Sequence, residues 1–247
     1  MKGFLAALRF LTVFPFPGKW GTQGSDLGRS VGWFPWVGLA LGAVAAAAAW
    51  GLSHVAPPLV IAALLCLVLA GFSGAMHLDG LADAADGLLS GRAGHEVLAI
   101  MKDSRVGAMG VVAVVSVLLV KFAALGSLGA ERVWPTVWLM PLAGRCAMVL
   151  QLAWLPYLRP EGLGAVFGGR RLLWPAVEAI VLLPVAGWML LGPAGAVIAV
   201  VAVAATGLLA ICYHRRLGGA TGDMYGATCE VIEATLALSA AICFAQA

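Results

Sequence analysis

From Val31 to Leu52 the chain carries no charged residue, and apolar runs of similar length recur along nearly all of its 247 residues. About twenty such residues in a helix cross the hydrocarbon core of a bilayer. Only helices or closed barrels satisfy their backbone there, and runs this long without strict alternation are helical. The chain is 62% hydrophobic and 11% charged, with a mean hydropathy of +0.98, whereas soluble domains are about 25% charged. The expectation is a single all-α domain over residues 1–247, a polytopic transmembrane helical bundle.

The runs can be read in order. Residues 3–14, with Lys2 and Arg9 at headgroup positions, form an interfacial helix; no cleavage site follows it, so it is kept as part of the protein. Spans follow at Val31–Leu52, Leu59–Met76, Gly110–Leu125, Val133–Leu155, Trp174–Leu191, Ala194–Tyr213 and Thr228–Ala245, about seven in all. With that parse twelve of the fifteen Lys and Arg residues fall in the N-terminal segment and alternate loops, and only Arg132 lies opposite. The positive-inside rule puts the twelve in the cytoplasm. The basic residues form no stripe interleaved with aromatics, so no nucleic-acid surface is expected. Five cysteines without paired spacing read as small buried hydrophobes.

Against this apolar background, three of the twelve acids sit within eight residues, Asp79, Asp83 and Asp86. On a helix of about 100° per residue they share one face. Stacked carboxylates repel, and a hard divalent cation relieves them; an all-oxygen donor set favours magnesium over zinc. His77 precedes them as a cap or proton carrier. Lys102-Asp103-Ser104-Arg105 adds another carboxylate and two cations. A second cluster runs from Arg215 to Glu233, with four glycines between Gly218 and Gly226. There Gly219, Thr221 and Gly222 suit an anion approached by backbone N–H groups, and Asp223 adds an acid. Arg145, inside a span, calls for a carboxylate or phosphate partner. The loop Tyr157-Leu158-Arg159-Pro160-Glu161-Gly162-Leu163-Gly164 could cover a substrate. Acids, a cation, arginines and a glycine loop on one side suit transfer from a diphosphate donor. An ion-coupled transporter is the second class, disfavoured because the acids lie at span ends instead of midplane.

The run His77-Leu78-Asp79-Gly80-Leu81-Ala82-Asp83-Ala84-Ala85-Asp86-Gly87-Leu88, followed by Met101-Lys102-Asp103-Ser104-Arg105-Val106-Gly107, resembles the cobalamin synthase family, the adenosylcobinamide-GDP ribazoletransferases. Phe10-Leu11-Thr12, Arg159-Pro160-Glu161-Gly162 and Gly218-Gly219-Ala220-Thr221-Gly222-Asp223 extend the likeness over most of the chain. The resemblance implies a magnesium-dependent, multi-pass transferase of a bacterial inner membrane, its active site facing the cytoplasm, that joins adenosylcobinamide-GDP to alpha-ribazole or its 5'-phosphate and releases GMP, the last stage of vitamin B12 assembly. On that expectation Asp79, Asp83, Asp86, Asp103 and Asp223 are metal ligands. Asp83, Asp86, Lys102, Arg105 and His77 act in catalysis, and Arg145, Arg159, Gly219, Thr221 and Gly222 bind substrate. The partners are the two substrates and the lipid bilayer, with a homo-oligomer left open. CDP-alcohol phosphotransferases share the logic, but their aspartate spacing and Ala-Arg pair are absent here.

Overall fold

The computed structural model describes residues 2–16, 18, 21, 24–159, 166–167 and 172–245. Their regular elements are helices: α1 (Lys2–Leu11), α2 (Gly24–Gly28), a 3-10 turn (Val31–Trp33), α3 (Phe34–Leu52), α4 (Pro58–Phe72), α5 (Met76–Leu88), α6 (His95–Ile100), α7 (Ala108–Ser127), α8 (Ala130–Trp154), α9 (Leu173–Leu217) and α10 (Gly222–Phe244). The all-α bundle expected from the apolar runs is present. Glu161, Gly162, Gly164, Lys19, Arg170 and Arg171 lie outside the described residues.

α8 is the central post, with α3, α9 and α10 packed on it. Small residues let these helices approach closely, as is usual where lipid removes any hydrophobic drive for helices to associate. On α3, side chains at Gly38 and Gly42 would collide with the α8 backbone at Pro141 and Trp138, and Trp138 donates its indole N–H to the Leu39 carbonyl at 3.0 Å. The outward faces of α7 and α9 expose Val111, Val115, Leu119, Met189 and Val200, as helices meeting lipid do.

Five helices are long and apolar enough to cross a membrane, and α4 with α5 makes a sixth, broken candidate. The 45-residue α9 is two legs, because Gly192 takes a φ of 67° and the chain folds back until Gly187 and Gly195 pack against each other. α4 and α5 are bent by 88°. Gly74 and Ala75, both at positive φ, make that corner, and Ala75 is the one non-glycine residue with positive φ among those described. The thirteen-residue α5, with its three acids, is too short and polar to be a span by itself. Several boundaries differ from the sequence reading. α9 continues to Leu217 and α10 starts at Gly222, six residues before the expected Thr228, because Thr221 caps it by accepting the Met224 N–H.

The joints α4–α5, α6–α7, α8–α9 and α9–α10 gather at one end of the bundle. There Val13 N–H bonds the Phe72 carbonyl, Leu158 pairs with Ala220, Arg159 reaches Met101, and Arg216 reaches Arg92. This is the end to which the sequence assigned the basic loops.

Candidate functional site

The site is built where α5 meets the start of α10. Gly80 makes the contact possible, since a β-carbon there would lie 2.8 Å from the Asp223 carbonyl oxygen. Gly226, one turn along α10, faces the His77 backbone in the same way. Asp79 and Asp223 thereby reach the rim of one cavity, although 143 positions separate them in the chain.

Arg159 completes the rim. The strand-like pairing of Tyr157 with Ala220 holds it, through Leu158 N–H to Ala220 O and Ala220 N–H to Pro156 O, both 3.0 Å. Gly219 is needed for this approach, because any side chain would strike the Pro156 carbonyl. Arg159 then lies 2.7 Å from Asp223 Oδ2, a pair about one-fifth exposed, while its Nε remains unpartnered. Thr221 is fully buried and donates to Asp223 Oδ2 at 3.4 Å. Asp83 is half-buried beside these groups. Burial, then the neighbouring charges of Asp79 and Asp223, push its carboxyl up to about 6, and Arg159 only partly offsets them. The mutual repulsion expected from the spacing is therefore present, and it includes an acid from the far end of the chain.

Behind the rim the cavity of about 260 Å³ is mostly apolar. Phe10, Phe34 and Phe167 pack around one another at centroid distances of 5.6 to 5.9 Å, and Tyr157 stacks on Tyr225 at 6.3 Å. His77 is buried and lines the cavity; burial holds its imidazole down to about 3, so it is neutral.

The remaining expected site residues fall elsewhere. Asp86 has both oxygens engaged, by the Gly107 N–H at 2.6 Å and the Gly110 N–H at 2.8 Å, so it anchors the start of α7. Asp103 is bound to Arg105, whose guanidinium holds its carboxyl at about 2, and Arg105 and Lys102 are exposed on that loop. Gly219 and Thr221 shape the backbone, whereas Gly222 lines the cavity. Arg145 finds the carboxylate it required in Glu233, at 2.6 Å, and is not part of the rim. The five expected ligands thus do not form one cage, and among the described residues no three acids, histidines or cysteines are placed to hold an ion by themselves.

A feature the sequence reading missed lies deeper. Lys121 of α7 is 2.7 Å from both Glu230 and Glu233 of α10, and with Arg145 these four buried residues balance two positive charges against two negative. A lysine inside a span and two glutamates inside another are signal enough, because each demands a partner in lipid.

Residues 3–241 match the family model described as cobalamin-5-phosphate synthase. The chain is 41% identical to the adenosylcobinamide-GDP ribazoletransferase of Geotalea daltonii, with 94% of each chain covered. It is 40% identical to those named so from Desulforamulus reducens, over 92% of this chain and 91% of the relative, and Pseudomonas putida, over 98% and 99%. No solved structure matches.

Proposed function

Because the chain belongs to the cobalamin-5-phosphate synthase family, we propose that it joins adenosylcobinamide-GDP and ribazole at the rim formed by Asp79, Asp223 and Arg159, with Asp83 beside them, and with release of GMP. The observation that carries this reading is the packing of Gly80 against Asp223, which turns acids from two distant segments toward one opening.

Magnesium commonly binds through one or two carboxylates together with substrate phosphates, so a three-ligand protein cage is not required. Asp83 is raised first by burial and then by the charges of Asp79 and Asp223, and an ion beside these acids would relieve that second contribution. Asp79 and Asp223, which reach the rim of one cavity, are the residues that would hold it, and when bound it would neutralise the diphosphate and the departing nucleotide. Asp86 and Asp103 are left out, because their oxygens are already bonded.

A ribose hydroxyl of ribazole attacks the phosphorus bonded to the cobinamide arm. The new P–O bond forms as the bond to the GMP oxygen breaks. Asp83, raised to about 6, takes the hydroxyl proton better than His77, which burial holds near 3. The unpartnered Nε of Arg159 is placed to meet phosphate charge at the rim. The rim lies at the basic end of the bundle, so it faces the cytoplasm across the inner membrane.

The test is product formation by purified protein in detergent, given adenosylcobinamide-GDP and either ribazole or its 5'-phosphate, with magnesium and then with chelator. Joined corrinoid and stoichiometric GMP, both lost on chelation, are expected. No corrinoid product with either nucleoside would overturn the reading.

A further inference from the structure

We propose that the aromatic chamber behind the rim is the seat of the ribazole base, leaving the corrinoid and its diphosphate outside; this rests on the reaction proposed above. Size favours it. A cavity of about 260 Å³ takes a methylated bicyclic base, whereas a corrin macrocycle is several times too large.

The walls favour it too. The rings of Phe10, Phe34 and Phe167, with Met148 and Leu152, offer flat apolar surface to a planar base. Two of the lining residues carry a buried polar side-chain atom, His77 Nε2 and the Tyr225 hydroxyl. Both are without a partner and belong to residues no more than 4% exposed. Leaving a buried polar group unpaired is unfavourable, so a ligand that pairs with it binds preferentially. The ribazole base, a dimethylbenzimidazole, has one free ring nitrogen, an acceptor that either group can meet by donating. Guanine, the competing base in the reaction, carries donors and acceptors around its edge that these phenylalanines would leave unsatisfied. With the base seated inward, the ribose points to Asp79 and Asp223, where the attack takes place.

The experiment measures binding of ribazole to the full-length protein in detergent, without corrinoid, alongside steady-state kinetics with both substrates. For the wild type, the 5,6-dimethylindole riboside, which lacks the acceptor nitrogen, is expected to bind about tenfold more weakly than ribazole. The double variant His77→Phe/Tyr225→Phe should erase that preference. Met148→Trp, which fills the chamber, should raise KM for ribazole about tenfold and leave KM for adenosylcobinamide-GDP unchanged. Equal binding of the two ribosides by the wild type would overturn the proposal, as would a Met148→Trp effect confined to the corrinoid substrate. Protein that shows the expected riboside preference but forms no corrinoid product refutes the reaction and leaves the seat standing.

Discussion

Asp86 accepts the Gly110 N–H at 2.8 Å through one carboxylate oxygen and the Gly107 N–H at 2.6 Å through the other, tying the end of α5 to the beginning of α7. It thus satisfies backbone donors that a helix leaves open at its first turn, much as an N-cap does. Gly107 and Gly110 are both needed, because a β-carbon at either would lie against the carboxylate.

Asp86→Ala should therefore cost about 1–2 kcal/mol of stability, the usual effect of losing a cap. Thermal unfolding in detergent checks this. Titrating the remaining activity with magnesium should give an unchanged half-saturation, because both oxygens of Asp86 face backbone and not the rim.

Asp83→Asn should abolish turnover while the protein still inserts and purifies normally. Asp79→Asn should raise the magnesium needed for half-maximal rate. An active Asp83→Asn enzyme would exclude the roles given to that carboxylate.

The raised Asp83 carboxyl sets a pH dependence. Its folded value, about 6, lies above the ordinary 3.8, so folding favours the protonated form. That contribution is complete below about pH 4 and is lost as the pH rises through about 6. Without divalent ions, the unfolding temperature of the wild type relative to Asp83→Asn should fall between those values, and parallel profiles would contradict it. Activity, measured with magnesium, should run the opposite way, declining about tenfold per pH unit on the acid side as the base is protonated, with a midpoint below 6 because the bound cation lowers the carboxyl.

Lys121→Met should be among the most damaging substitutions away from the rim. It leaves Glu230 and Glu233 facing each other with Arg145 alone for compensation, and breaking a buried pair costs about 3–5 kcal/mol. Adding Glu230→Gln should restore part of the loss, and recovery of monodisperse protein in detergent measures both.

Gly80→Leu should separate α5 from α10, because its β-carbon would already crowd the Asp223 backbone. We expect folded protein with activity reduced at least about tenfold, since a misplacement of about 1 Å at reacting groups costs more than that.

The sequence by itself determined the helical class, the apolar runs, the grouping of basic loops at one end and the acids on one face of α5, because each depends on period, length and charge within a short window. It also marked Asp223 as an acid to set beside those of α5, and the Arg159 loop as a substrate cover. Only the tertiary structure decided which acids are available. Asp86 is bound to the backbone of α7, Asp103 to Arg105, and Arg145 to Glu233, whereas Asp79 and Asp223 line one cavity and Asp83 lies within reach of their charge. The corner at Ala75, the early start of α10 and the Gly80 contact were equally beyond local reading. A carboxylate's chemistry depends on the neighbour that reaches it first, and helix packing chooses that neighbour from segments far away in the chain.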